Sequence, residues 1–287
     1  MLVEENIRPY ARPLSWLWPE PRPIDWEKLL YTMGQPLVAL YTRLTLNPDV
    51  VFHAALPAGP KLIAANHPST TDPLIMTTLV TEPVSILITE SVFTIPVVGR
   101  FLRRTGQIPV VHADRRAAFD EALRRLEEGQ TVGIFPEGSL SPREGGVCSP
   151  RTGTARLALS AGVPIVPVGI HLQRERIRTF DARRHPEDEM IRWYFNGPYA
   201  MTVGQPLYLE GDVEDRAGVH AASESLMQHI RRLAGQSERR IMGLPPAPGG
   251  GSRVTAVVVD CTNPQEVFTR DATTASHLGR HAGPIAP

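Results

Sequence analysis

The feature that most constrains this chain is an alternation. Between residues 49 and 172, short apolar runs rich in Val, Ile and Leu take turns with stretches of helical period. "DVVFHAAL", "KLIAAN", "VSILIT", "QIPVVH", "TVGIF" and "PIVPVGIHL" read as strands; "PLIMTTLVT", "VVGRFLRR", "DRRAAFDEALRRLEEG" and "TGTARLALSAG" read as helices. A strand that is apolar on both sides must be covered on both faces, and a helix between two strands is the connection that keeps them parallel. The expected fold is therefore α/β: a single mainly parallel mixed sheet flanked by helices. "RWYFN" and "AMTVGQPLYL" are expected as later, antiparallel strands, and "ASESLMQHIRRLAG" as a closing amphipathic helix. Two prolines in "AGVPIVPVGI" suggest an edge position or a strand end lining a groove.

Three regions follow from the same pass. Residues 1–24 are a Pro/Trp-rich leader, too dense in proline for regular structure. Its Trp16 and Trp18, with Trp26, either pack it onto the core or sit at a membrane interface. Residues 25–240 form the folded domain. It opens with an amphipathic helix from Asp25 to about Leu46, whose Leu29, Leu30, Met33, Leu37, Leu40 and Tyr41 recur at spacings of three and four. Gly34 and Pro36 are expected to kink or split it. Residues 241–287 open with the linker "GLPPAPGGGS" and read as a mostly disordered tail, with one strand possible in "RVTAVVVDC".

Composition excludes several classes. The 287 residues carry 30 basic and 30 acidic side chains, which argues against a nucleic-acid binder. Cys148 and Cys261 form no framework and no metal-ligand spacing. No apolar run reaches the roughly 18 residues of a spanning helix, and the opening "MLVEENIRPY" lacks the apolar core of a signal peptide. The expectation is a cytoplasmic protein, peripheral on the cytoplasmic face of the membrane, with no metal.

Two strand ends carry chemistry. "KLIAAN" stops at His67, and Asp72 follows five residues later. On one helix that offset would separate the side chains by roughly 140°. A strand end, a short loop and a helix start instead allow the carboxylate to fold back onto the imidazole, a general-base dyad. Asp72 before Pro73 also suits a helix cap, and Ser69 with Asp72 a capping pair. The second end is "GIFPEGSLSP", where Pro136 and Gly138 shape a turn and Glu137 stands at the mouth of the sheet, the place where open α/β sheets bind ligands. A third segment, "GQIPVVHADRR", puts Arg115 just past a strand, where a forked guanidinium suits a phosphate. Arg100, Arg103, Arg104, Arg115 and Arg116 make a local basic cluster fit for coenzyme A phosphates, a carrier protein or anionic headgroups.

In this order, H-x4-D, glycine–strand–arginine, F-P-E-G and V-P-I-V-P-V resemble the blocks of the 1-acylglycerol-3-phosphate acyltransferase family, over about residues 50 to 235. The resemblance implies that His67 deprotonates an acceptor hydroxyl, oriented by Asp72, and that the hydroxyl attacks an acyl thioester directly. It also implies that Arg115, Glu137, Gly138, Ser139 and Arg151 hold the acceptor. The implied partners are acyl-CoA or acyl carrier protein as co-substrate, a lysolipid acceptor and the membrane surface, with no cofactor. One departure stands out: the family commonly reads E-G-T-R-S, whereas this chain reads "EGSLS", with Leu140 in the place of an arginine that holds acceptor phosphate. Either Arg143 or Arg151 supplies the charge, or the acceptor lacks that phosphate.

Two other readings compete. A serine hydrolase would use Ser139 or Ser141 with His67 and Asp72, but there is no G-x-S-x-G elbow. A catalytically silent lipid-binding adaptor on the same fold would have no need of both His67 and Asp72.

Overall fold

The computed structural model describes residues 26–180 and 191–245, and the backbone of two short segments, 257–259 and 267–269. The leader with Trp16 and Trp18, the side chain of Trp26 and most of the tail lie outside the described residues.

The first helix, α1 (Trp26–Tyr41), is continuous through Gly34 and Pro36. It runs into a π turn at Thr42–Leu46 and stops at Asn47, which adopts the left-handed conformation. Strands β1 (Pro48–Phe52) and β2 (Lys61–Ala65) follow, then α2 (Asp72–Met76), β3 (Val84–Thr89), α3 (Glu90–Phe93), α4 (Pro96–Arg104) and β4 (Ile108–Val110). Next come α5 (Arg115–Glu127), β5 (Thr131–Ile134), β6 (Val147–Cys148), α6 (Gly153–Ala161) and β7 (Ile165–Leu172). The hairpin β8 (Ile177–Phe180) and β9 (Ile191–Tyr194) precedes β10 (Tyr199–Val203) and α7 (Arg216–Ile241). The tail contributes β11 (Val257–Val259) and β12 (Val267–Thr269). Asp114 caps α5, its carboxylate accepting from the Ala117 N–H.

Seven strands make the main sheet, in the order β1-β10-β7-β2-β5-β3-β4. The run from β7 to β4 is parallel. β10 is antiparallel to β7, and β1 parallel to β10, so the expected mixed sheet is present. The two-residue alternation sorts side chains between two cores. On β2, Leu62 and Ala64 face α5, α6 and α7, whereas Ile63 and Ala65 face α2 and Leu46. Every β2 residue is buried, which explains why its sequence is apolar throughout.

Pro167, inside β7, does not mark an edge, and Pro164 lies just before the strand. β7 lies inside the sheet, between β10 and β2. Pro167 is tolerated because its missing N–H falls opposite Gly204, just beyond the end of β10, where only the Gly204 N–H to Pro167 carbonyl bond is made. Gly169 serves another purpose. A Cβ there would lie 2.0 Å from the Ala234 backbone nitrogen, so α7 rests directly on the strand.

Four short elements, α3, β6, β8 and β12, were not legible in the sequence, being only two to four residues long. The strand expected in "RVTAVVVDC" is present as β11, which pairs with β12 and, in parallel, with β6. Cys148, at the end of β6, is disulfide-bonded.

Candidate active site

Because the core strands are parallel, their carboxyl ends share one edge of the sheet, and the loops after β2 and β5 meet there. The exit from β2 is pinned first. The Asn66 side chain donates from Nδ2 to the Ile170 carbonyl (2.9 Å) and accepts from the Ile170 N–H at Oδ1 (2.7 Å), extending the β2–β7 ladder with an amide side chain. The backbone then turns, and His67 leaves the sheet with its ring stacked on Phe135 of the next strand end, centroids 3.9 Å apart and 14° from parallel.

Asp72 opens α2 and folds back. Its Oδ2 lies 3.0 Å from His67 Nδ1 and accepts from the Ser69 N–H at 2.8 Å, while Oδ1 accepts from the Tyr199 hydroxyl at 2.6 Å. The two readings of this segment, dyad and helix cap, are thus compatible: the same oxygen meets the imidazole and closes the turn. The Asp72 side chain is 0% exposed and that of His67 17% exposed, so the carboxylate is sealed and the imidazole reachable. A carboxylate on Nδ1 assigns the proton to that nitrogen and leaves the Nε2 lone pair to accept one. β9 holds the loop from the other side: the Thr70 N–H and Ser69 hydroxyl both donate to the Arg192 carbonyl, and the Tyr194 N–H donates to Thr71 Oγ1.

Glu137 turns inward. Its Oε1 accepts from the His67 N–H (2.9 Å) and the Ser141 hydroxyl (2.6 Å), and its Oε2 from the Cys148 N–H (2.6 Å). Burial raises its proton affinity above that of an ordinary carboxyl, outweighing the three donors that work the other way. Its position is a clamp among the 67, 141 and 148 segments, with the carboxylate filled by protein donors. Gly138 takes φ +65, and a Cβ there would lie 2.4 Å from Arg151 Nε, so the Arg151 side chain lies across this turn. Ser139 Oγ is 3.9 Å from Cys148 Sγ, and the Leu140 side chain is tucked in, 8% exposed.

The structure therefore gathers His67, Asp72, Glu137, Gly138, Ser139 and Arg151 around two loops. Arg115 stands apart at the start of α5, after the edge strand β4, its guanidinium 3.3 Å from His112 Nδ1. β4 is three strands from β2, roughly 14 Å at ordinary strand spacing. The rest of the basic cluster splits between α4 (Arg100, Arg103, Arg104) and α5, where Arg116 pairs with Asp120. Ser141 is buried; its hydroxyl serves Glu137 and the His67 N–H rather than the imidazole, a geometry unlike a serine nucleophile's.

The acyltransferase family profile matches residues 48–171, which hold both loops. The 1-acyl-sn-glycerol-3-phosphate acyltransferase of Borreliella burgdorferi is 34% identical over 113 residues, 38% of this chain and 45% of that protein. Residues 48–171 are thus similar to the acyltransferase family, over a little less than half of the chain. A second relative, the 1-acyl-sn-glycerol-3-phosphate acyltransferase of Escherichia coli, is 28% identical over 123 residues, 42% of this chain and 50% of that one. The chain thus spans about half the length of the curated relatives it matches. The crystal structure of the 1-acyl-sn-glycerophosphate (LPA) acyltransferase from Thermotoga maritima shares the fold, with a TM-score of 0.50 at 22% identity, covering 78% of this chain and 81% of that one. Three residues of this site were missed in the sequence: Asn66, Tyr199 and Arg192. Only Asn66 left a local signal, as a polar residue closing an apolar strand; Tyr199 and Arg192 each lie more than 120 residues from the 67–72 loop that they touch.

Proposed function

We propose that this protein transfers a fatty acyl group from acyl-CoA or acyl carrier protein to a hydroxyl of a lysoglycerolipid such as 1-acylglycerol-3-phosphate. The observation that carries the reading is the His67–Asp72 pair: a sealed carboxylate on Nδ1, and Nε2 of a partly exposed imidazole free to take a proton. His67 Nε2 takes the proton of the acceptor hydroxyl as its oxygen attacks the thioester carbonyl carbon. The tetrahedral intermediate collapses, the C–S bond breaks, and the imidazolium returns the proton to the departing thiolate. No acyl-enzyme is formed, and the proposed transfer uses neither a metal nor a cofactor.

A phosphate on the acceptor needs a cation where Leu140 replaces the family arginine. Arg151, lying across Gly138, is the nearest of the expected residues to that turn and takes this role. Arg115, at the sheet's edge, is suited to the thioester carrier's phosphates or the outer headgroup. Arg192 Nη1 donates to the Ser141 carbonyl at 2.6 Å, a further cation beside the same loop.

The lipid acceptor reaches the site from a membrane surface. Leu29, Met33, Leu37, Leu40 and Leu44 recur at spacings of four, four, three and four and are all exposed, an apolar stripe along α1 and its π turn. The opposite side of α1 is anchored by Gln35 Nε2 donating to the Val80 carbonyl at 2.8 Å. Among the described residues no helix is long and apolar enough to cross a membrane, so the stripe is assigned to shallow docking on the cytoplasmic face. The test is turnover of labelled acyl-CoA and acyl carrier protein with a panel of lysolipids. Transfer to a lysoglycerolipid, lost in His67→Ala, supports the reading; thioester hydrolysis without an acceptor, or no turnover with any, overturns it.

A further inference from the structure

The carboxylate that orients His67 is itself held by a residue that no motif includes. From Tyr199 Oη to Asp72 Oδ1 is 2.6 Å, and both side chains are 0% exposed. Tyr199 begins β10, two strands from β2, and its ring packs against Tyr194, centroids 6.2 Å apart. Tyr194 is fixed in turn, its hydroxyl donating to the Pro198 carbonyl at 2.8 Å. The phenol approaches the carboxylate from the side away from the imidazole. We infer that Tyr199 is a positioning residue for the proposed acyl transfer, forming with Asp72 and His67 a Tyr–Asp–His relay in which its hydroxyl locks the carboxylate's rotation and moderates its charge.

Packing alone does not account for it. A phenylalanine would fill the same space and leave Asp72 Oδ1 buried without that donor, free to exchange places with Oδ2. Burial and the adjacent Asp72 hold the phenol's proton well above the usual tyrosine range, so Tyr199 remains a donor throughout the working pH range. The charged and titratable groups around the dyad come from several elements: Glu137 on the His67 backbone, Tyr194 and Arg192 on β9, and Arg151 across Gly138. Tyr199→Phe alters none of them directly. It leaves more of the Asp72 charge facing Nδ1, which favours the imidazolium.

The inference rests on the proposed function, so the test has two arms. In the first, Tyr199→Phe is expected to lower kcat on the order of tenfold, with KM for both substrates near wild type, since one hydrogen bond to a charged group is lost at the base and none at the substrates. The acid limb of the kcat/KM profile should move up by about 0.5–1 pH unit. In an Asp72→Asn background the same substitution should have little further effect, the non-additivity expected of groups acting as one unit. In the second arm, ethoxyformylation of His67 by diethyl pyrocarbonate, followed by peptide mass, needs no substrate. Its rate reports the neutral imidazole, and its pH midpoint should move up in Tyr199→Phe. A lower Tm with the acid limb and the His67 modification profile both unchanged makes Tyr199 a packing residue and overturns the inference. If the wild type transfers no acyl group but the modification profile shifts, the relay stands and the proposed reaction falls.

Discussion

Replacing Glu137 by Gln tests whether this acid is a clamp or a ligand for the acceptor. The carboxylate accepts three hydrogen bonds in a buried site, two of them from backbone N–H groups and one from Ser141. An amide has one acceptor atom. With its oxygen in the Oε1 position, it keeps the His67 N–H and the Ser141 hydroxyl but turns an NH2 toward the Cys148 N–H. That loses a bond to a charged acceptor, about 1.5–3 kcal/mol, and weakens the two that remain. Relief from burying a charge offsets part of the loss. The net expectation is a destabilisation of about 2–3 kcal/mol, or roughly 4–12 °C in Tm for a domain of this size. The gap should depend on pH. Burial raises the native-state proton affinity of Glu137, so the native state binds more proton than the unfolded chain in the window from the ordinary carboxylate range up to the raised value. The stability this group contributes is therefore full below that window and falls as pH rises through it, and the wild-type advantage over Glu137→Gln should narrow in the same direction. Thermal melts at a series of pH values measure both quantities, and kcat and KM at 20 °C separate loop from ligand. A Tm within about 2 °C of wild type, together with a raised KM for the acceptor alone, would refute the clamp and restore Glu137 to acceptor binding.

The remaining expectations concern the dyad, the specificity loop and the membrane stripe. His67→Ala should lose about 10²–10⁴-fold in acyl transfer with an unchanged far-UV spectrum, and Asp72→Asn should also be severe; activity above about a tenth of wild type in His67→Ala removes the general base from the mechanism. Leu140→Arg should lower both Tm and kcat/KM on every acceptor, because the side chain there is buried and a guanidinium would lose its water; a rise in lysophosphatidic acid use above wild type contradicts this. Leu37→Ser with Leu44→Ser should reduce co-sedimentation with phospholipid vesicles severalfold while a short-chain soluble acceptor is turned over at the wild-type rate, and so should deletion of residues 1–24 if its tryptophans are interfacial. Unchanged sedimentation in both would assign the stripe another role.

What the sequence determined by itself was set by local period and by loop chemistry. The alternation of apolar runs and helical stretches is written in neighbouring residues, and it specified the parallel α/β sheet and the carboxyl-end location of His67 and Glu137. The H-x4-D spacing was enough to place Asp72 beside His67, because a five-residue turn leaves few ways for the two to avoid each other. Contacts between distant segments were decided only by the tertiary structure. The inward turn of Glu137 depends on donors from the 67 and 148 backbones, and a backbone N–H has no signature in a sequence. The interior position of β7, despite Pro167, depends on β10 ending at Val203, which no residue of β7 reveals. Tyr199 reaches Asp72 across 127 residues because β10 docks antiparallel against β7 and brings its first residue back to the carboxyl edge, and strand order of that kind is fixed by packing of the two faces rather than by any local pattern.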